Sequence, residues 1–419
     1  MVLNIFIFLA GILIYAGYGL WGLVWLLAAT GISYILGRLI PRHKWLMWVG
    51  VGLQALLLVA LKLQPITGTA LLAPMGVSYF SLQIISYLAD IYRGKILPES
   101  NPLRYGLYVT YLPHLFVGPI ESYPTMQAAL SRRRITWDGI SLGFARVLWG
   151  LFKKLVIAAR AGVIISAISA ESDTLQGGYA LLAMLMYSLQ LYADFSGGID
   201  AVLGVSRMLG LSLSENFDRP YFSESVQEFW KRWHITLGAW LRNYVYIPLG
   251  GNRKGNFRKG LNTVITFLVS GLWHGVHYLL WGLFNGLFVI VGKRLQTPWK
   301  WFNRLGTFLA ISFLWCFFIW PDTLTALKSF ASVFTVFNYP ALISGVGTLG
   351  LSLADWLVMA GSSIVLWLYD WKRENVSSLL HRLSPAIRVA ILCGLALLVL
   401  VLGRYGIGFQ AEDFIYSRF

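Results

Sequence analysis

The chain has 419 residues, of which 57% are hydrophobic and only 12% are charged. Soluble domains average about 25% charged residues, so this composition excludes an ordinary soluble protein. A transmembrane helix takes about 20 residues, and the apolar stretches suffice for about nine to eleven of them. We therefore predict an all-α, polytopic integral membrane protein in which residues 1–419 form a single membrane-embedded domain.

The net charge of +16 is carried largely by short basic clusters between the apolar runs. Clusters in such loops follow the positive-inside rule and set the orientation of the chain. They also attract the anionic headgroups of membrane lipid. We therefore predict no nucleic-acid partner. The clearest clusters lie at 132–134, 253–254, 258–259 and 372–373.

Apolar runs separated by charged residues predict the spans in chain order. They fall near 3–18, 20–39, 45–63, 70–90, 104–120, 140–168, 178–206, 261–292, 302–320, 351–369 and 386–403. The run 104–120 is interrupted by Pro113, His114, Gly118 and Pro119. This interruption is equally consistent with a full crossing and with a broken or re-entrant element. A broken element is tolerated at membrane depth only inside protein or beside a watery cavity.

Charge also predicts which side of the membrane the loops face and whether the first helix is retained. Residues 170–178 carry acid and no base, which favours the outer side, whereas the basic loops 121–138 and 207–260 should face the cytoplasm. No basic segment precedes the first apolar run, so we expect an anchor that is retained and not a cleaved signal peptide.

The longest basic loop contains an aromatic segment with helical periodicity. Phe229, Trp233, Leu237 and Trp240 recur on one face of residues 226–247, with cations off that face. This pattern predicts one amphipathic helix, typical of a membrane-surface anchor or of a helix packed under a bundle. The Gly-rich basic turn 248–255 follows, and it could hold an anion or be only a turn.

His274 is an ionisable residue inside an apolar span, between two glycines. Such residues are costly in lipid and are functional candidates, although a structural histidine bonded to a neighbouring helix is an equal alternative. His277 follows at i+3, which predicts a polar patch on the same helical face. Cys316 and Cys393 lie in apolar runs, and no histidine has a Glu-x-x-His partner, so we predict no metal site.

Asp194 and Asp200 form a second polar island within an apolar run. Because they are six positions apart, they do not share one helical face, and two carboxyl groups sharing a proton are not indicated. We expect them to pair with arginine or backbone groups, or to bias a nearby histidine.

Five ordered motifs occur between residues 190 and 280. They are Tyr-Ala-Asp-Phe-Ser-Gly at 192–197, Glu-Asn-Phe-Asp-Arg-Pro at 215–220, Glu-Phe-Trp-Lys-Arg-Trp-His at 228–234, the segment 240–253, and Gly-Leu-Trp-His-Gly at 271–275. Together they resemble the membrane-bound O-acyltransferase (MBOAT) family, and residues 74–94 and 118–120 extend the likeness. Within that family, the chain is similar to the bacterial branch that O-acetylates alginate and peptidoglycan or transfers D-alanine to teichoic acid.

The resemblance implies an MBOAT-like bundle whose most motif-rich part is 190–280, with His274 catalytic and His234 a second functional position. It implies a terminal aromatic motif whose tyrosine, here Tyr416, relays the acyl group, while an aromatic membrane anchor is the alternative. Two departures stand out, namely Asn243, where relatives often have Asp, and the residues that follow Tyr416. The supporting or donor-binding residues are Asp194, Trp273, Arg242, Asn243, Arg253 and Lys254.

The expected activity is transfer of a short acyl group, acetyl foremost, from a cytoplasmic thioester to hydroxyl groups of a cell-wall polymer or exopolysaccharide. The donor is acetyl-CoA or an acyl carrier protein, with no bound cofactor. An extracytoplasmic, esterase-like transferase is the expected partner, and the bacterial cell membrane is the expected location. D-alanyl transfer to teichoic acid is the nearest alternative. A transporter or flippase, an acyltransferase for lipids or proteins, and a purely structural membrane protein also remain open.

Overall fold

The computed structural model describes residues 2–67, 73–292, 295–372 and 380–405. Throughout these ranges the regular structure is helical, and the one exception is an isolated antiparallel bridge between Phe217 and Trp233. The predicted all-α fold is confirmed. Apolar side chains such as Leu13, Leu56 and Val401 are more than 60% exposed, as expected for helices that face lipid.

The N-terminal helices pack around their own aromatic core, which includes Tyr87, Tyr105 and Tyr108. Of the two alternatives for 104–120, the structure shows the break, because Tyr111 is extended and the next helix starts there with Pro113 in its first turn. The helices are α1 (Val2–Ala16), α2 (Leu20–Leu39), α3 (Leu46–Thr67), α4 (Val77–Tyr92), α5 (Pro102–Thr110), α6 (Leu112–Val117) and α7 (Tyr123–Ser131).

Two long central helices cross at glycines. They are α8 (Trp137–Phe152), which continues through a π-helical turn (Lys153–Ala158) into α9 (Ala159–Ala170), and α10 (Gly178–Met208). A Cβ atom at Gly150 would lie 2.3 Å from the carbonyl oxygen of Gly197, so only glycine permits this approach. Small residues at a crossing are a common device for close packing of membrane helices.

The C-terminal half contains shorter helices that surround one side of α10 with a second core. They are α11 (Val226–Arg232), α12 (Ile235–Leu241) with a π-helical turn (Arg242–Tyr246), α13 (Gly255–His274), α14 (Leu279–Val291), α15 (Lys300–Leu314), α16 (Cys316–Ile319), α17 (Thr323–Thr335), α18 (Tyr339–Gly345), α19 (Leu353–Lys372) and α20 (Pro385–Leu402).

Within the described ranges, four helices are individually long and apolar enough to cross a membrane, or five if one bent pair is a single span. The pair bends by 107° between Thr323–Thr335 and Tyr339–Thr348. The other predicted spans do not meet these criteria of length and composition; Val2–Ala16, for example, is apolar but has only 15 residues. The four are Leu20–Leu39, Leu46–Gln64, Lys300–Ile319 and Pro385–Leu402.

Candidate active site

A cavity of about 220 Å³ lies among the C-terminal helices and reaches both motif histidines. Its deep wall is aromatic, with Trp230, Trp233, Trp281 and Trp315 among the lining residues. Its polar lining residues come from α11, the break between α11 and α12, the π-helical turn after α12, and α13. These polar residues are Gln227, Lys231, His234, Arg242, Tyr246, Thr263, Thr266, Ser270 and His274.

His274 is the last residue of α13 and is 5% exposed. The helix ends there because Gly275 adopts φ 149°, a conformation that favours glycine. One turn earlier, Gly271 lets α13 approach the carbonyl oxygen of Tyr278, which would lie 2.5 Å from an added Cβ atom. The imidazole is edge-on to neighbouring rings, including Trp281 at a centroid distance of 5.5 Å. These contacts hold the ring against the cavity wall.

His234 lies at a break in the chain where the sequence predicted a continuous helix. The prediction of one amphipathic helix over 226–247 is wrong, because α11 ends at Arg232 and α12 begins at Ile235. His234 has φ 46°, in the left-handed region that a non-glycine residue rarely adopts. The break turns the imidazole inward, where the side chain is 2% exposed and meets the ring of Phe195 at 4.9 Å.

Trp273 links the two histidines. Its ring centroid lies 4.7 Å from that of His274 and 6.5 Å from that of His234, edge-on to both. On its other side, Tyr79 of α4 contacts it at 6.3 Å. The indole therefore connects the histidine pair to the N-terminal core, and a substitution there would disturb both rings.

The outer part of the cavity contains two exposed cations, Lys231 and Arg242. They come from different elements and converge only because the chain breaks at His234. The sequence analysis named Arg242 but missed Lys231, and it also missed Ser270, which lies one helical turn before His274. The buried wall residue Trp281 was missed too, since an apolar run gives no sign of which residues face a cavity.

Other predicted site residues lie away from the cavity walls. Asn243 has its carbonyl oxygen 3.1 Å from Nη1 of Arg93 and does not line the cavity. Arg253 and Lys254 are exposed in the glycine-rich turn. The expected patch of His274 with His277 is wrong, since Gly275 ends the helix and His277 is exposed. Tyr416 lies outside the described residues.

The buried aspartates of α10 are neutralised by cations from α8 and its π-helical turn. Nζ of Lys154 donates to Asp194. Asp200 accepts from Nε of Arg146 at 2.8 Å and from Nζ of Lys153 at 2.6 Å. The expected arginine partner is confirmed for Asp200, whereas Asp194 pairs with a lysine that the sequence analysis did not name. Their position at the α8–α10 interface indicates a role in assembling the bundle.

Within the described part of the chain, no three His, Cys, Asp or Glu side chains are grouped so that they could hold a metal ion. A neutral imidazole can accept a proton from a hydroxyl group. The adjacent cations can bind an anionic part of a substrate.

Comparison with known proteins agrees with this arrangement of motifs. The probable alginate O-acetylase of Pseudomonas fluorescens is 31% identical over 93% of this chain and 82% of its own length. The corresponding protein of Pseudomonas putida is 34% identical over 77% of this chain and 70% of its own length. The peptidoglycan O-acetyltransferase of Helicobacter pylori is 32% identical over 62% of this chain and 56% of its own length.

A family model gives the same result over most of the chain. The model for the membrane-bound O-acyltransferase family matches residues 11–334, which include the cavity, both histidines and the α8–α10 interface. The relatives above and the helical fold agree with this match. The chain therefore belongs to the membrane-bound O-acyltransferase family and is a multi-pass membrane-bound acyltransferase.

Proposed function

We propose that the chain transfers an acetyl group from a cytoplasmic thioester to hydroxyl groups of a polysaccharide outside the cytoplasmic membrane. The observation that supports this most directly is the cavity, because His234 and His274 both line it together with Lys231 and Arg242. The donor is acetyl-CoA or an acetylated acyl carrier protein. Either one is consumed as a substrate, and no bound cofactor takes part.

His274 is the general base of the proposed reaction. Its imidazole takes the proton of the hydroxyl group while the hydroxyl oxygen attacks the thioester carbonyl. The tetrahedral intermediate then loses the thiolate, and the imidazolium returns the proton to that sulfur. One C–O bond forms as one C–S bond breaks, so the step needs no oxidant or reductant. His234 supports this chemistry from the far side of Trp273.

The cations of the outer cavity suit the donor in particular. Both proposed donors carry the thioester on a phosphopantetheine arm, whose phosphate would pair with Lys231 and Arg242. The aromatic wall then receives the apolar part of the arm. Trp273 positions both histidines, whereas Asp194 and Asn243 act indirectly, through the packing of α10 and of the turn after α12.

We favour acetyl over D-alanyl as the transferred group because the O-acetylating relatives are more similar to this chain than the D-alanyltransferases are. The alginate and peptidoglycan O-acetylating relatives are 30–35% identical to this chain. The teichoic acid D-alanyltransferases of Streptococcus thermophilus and Bacillus subtilis are 26% and 27% identical. An assay that offers acetyl and D-alanyl thioesters side by side distinguishes the two activities. An extracytoplasmic, esterase-like transferase is the proposed partner that delivers the group to the polymer.

Replacing His274 by Ala tests the proposed function. Loss of a general base costs about 10²–10⁴-fold in rate, so transfer of radiolabelled acetyl in isolated membranes should fall by that factor. The matched control is His277→Ala, which removes an exposed imidazole three residues away and should leave transfer unchanged. Transfer at the normal rate by His274→Ala would overturn the proposal.

Tyr416 is proposed as a covalent relay near the C-terminus. Its phenol is then the hydroxyl group that His274 deprotonates in the first half-reaction, and in the second the acetyl group passes from the phenol oxygen to the acceptor hydroxyl group, whose proton returns to Tyr416. A phenolate leaves more readily than an alkoxide, so an acetyl ester on Tyr416 would stay activated for onward transfer. Tyr416→Phe keeps the ring and removes only the hydroxyl group. We expect it to abolish polymer acetylation while donor binding persists. Normal polymer acetylation by this variant would make Tyr416 an anchor.

A further inference from the structure

The left-handed backbone of His234 is held by residues distant in sequence. A non-glycine residue persists in this conformation only where its surroundings over-determine it, and such residues cluster at functional sites. Of the described non-glycine residues, only Arg219 and His234 have positive φ. The contacts that maintain the left-handed backbone of His234 therefore determine where its imidazole lies.

Asn216 supplies most of these contacts. Its side chain is fully buried, and Oδ1 accepts hydrogen bonds from the Thr236 main-chain N–H at 3.0 Å and from Oγ1 of Thr236 at 2.6 Å. Its main-chain carbonyl oxygen accepts from the N–H of Ile235 at 3.0 Å. The first two residues after His234 are thus tied to Asn216, which lies eighteen positions before His234 in the chain.

Neighbouring main-chain contacts complete this attachment. Phe217 and Trp233 form the isolated bridge, and the N–H of Asp218 donates to the carbonyl oxygen of Arg232 at 3.0 Å. On the other side, the N–H of Ile120 donates to Oγ1 of Thr236 at 3.0 Å. The Thr236 hydroxyl group therefore joins the loop after α6 to the segment that carries His234.

We infer that Asn216 and Thr236 are positioning residues that hold His234 at the cavity, an inference that rests on the proposed function for its effect on acetyl transfer. Neither residue lines the cavity, so neither is expected to contact substrate. Their bonds fix the backbone just after the break, and those of Phe217 and Asp218 fix it just before the break. Without them the backbone at His234 relaxes toward an ordinary conformation, and the imidazole turns away from its place beside Phe195.

Thr236→Val is the decisive variant because it keeps the shape of the side chain and removes the hydroxyl group. Misplacement of a reacting group by about 1 Å costs on the order of 10²-fold, so we expect kcat for acetyl transfer to fall by about 10- to 100-fold. The KM for the donor should stay within about twofold, since the cations of the outer cavity are untouched. Thr236→Ser keeps the hydroxyl group and should restore kcat.

A double-mutant cycle separates positioning from general destabilisation. If Thr236 acts through His234, adding Thr236→Val to His234→Ala should change kcat by less than about twofold. Equal loss of kcat with and without the imidazole would overturn the inference, as would normal kcat in Thr236→Val. Asn216→Ala removes the acceptor of the same hydrogen bond, together with the acceptor of the Thr236 main-chain N–H, and should reproduce the result if Thr236→Val yields too little folded protein.

A measurement that does not depend on acetyl transfer tests the placement itself. Deuterium exchange at Cε1 of the His234 imidazole, followed by mass spectrometry, should be slow in the unmodified protein and at least about threefold faster in Thr236→Val. Thr236→Ser should match the unmodified protein. Unchanged exchange in Thr236→Val overturns the inference. If the unmodified protein transfers no acetyl group, the proposed function fails while this exchange result still stands.

Discussion

The α8–α10 interface and the cavity both bury ionisable side chains, but they treat them differently. At the interface, Asp200 is bonded to two cations, and Lys153 is only 3% exposed. In the cavity, His234 and His274 are surrounded mainly by aromatic rings and line an open space. Burial alone therefore does not mark a functional residue in this protein. The surroundings of a buried side chain determine its role. A neutralised ion pair stabilises the bundle, whereas an imidazole at a cavity wall can exchange protons.

Removing one member of the interface network should give the largest effect on stability. Asp200→Ala leaves the buried ammonium of Lys153 without its carboxylate, and breaking a buried pair in this way costs about 3–5 kcal/mol. We expect a strong drop in the amount of folded protein, measured by thermal unfolding in detergent and by abundance in membranes. The double variant Asp200→Asn with Lys153→Met should recover part of the loss.

The Asp200→Ala variant also tests whether the α8–α10 interface and the cavity have separate roles, one in stability and the other in acetyl transfer. The rate of acetyl transfer per folded molecule should change little in Asp200→Ala, because the carboxylate lies outside the cavity lining. A variant with normal unfolding temperature and a large loss of transfer would instead place Asp200 in the reaction.

The sequence predicted the membrane fold and the arginine partner of Asp200, and it left a break in 104–120 as one of two alternatives, since composition, charge and proline act locally or in simple pairs. It did not predict the break at His234. Helical periodicity runs through 226–241 without interruption, and the break is imposed by bonds from Asn216, which no local pattern reveals. The separation of His277 from His274 was foreseeable, because glycine commonly terminates helices and Gly275 lies between the two histidines.

Lys231 shows that local sequence patterns also fail to predict part of the candidate site. On a helical wheel it is one more cation on the polar face, and only the break after Arg232 brings it to the same cavity as Arg242. Periodicity identifies which face of a helix is polar, but which cavity that face borders depends on tertiary structure.

Neutralising the cations of the outer cavity should have an intermediate effect. In the double variant Lys231→Gln with Arg242→Gln, loss of two charge-assisted hydrogen bonds should raise the donor KM by roughly 10- to 100-fold. Unfolding temperature should not change, because both side chains are exposed. The matched control is Arg132→Gln with Arg134→Gln, which removes the same charge from an exposed loop that does not line the cavity. An unchanged donor KM would remove Lys231 and Arg242 from donor binding.

The smallest effect is expected from the glycine-rich turn. Arg253 and Lys254 are exposed and do not line the cavity, so they can act on an anionic donor only over a distance. Such steering raises the association rate at low ionic strength and is screened beyond about 10 Å at 0.1 M salt. Replacing both by Gln should therefore lower the apparent donor association rate by about two- to threefold in dilute buffer and not at all in 0.5 M salt. A loss that persists in 0.5 M salt would mean direct contact with the donor, and the outer cavity would then have to include this turn.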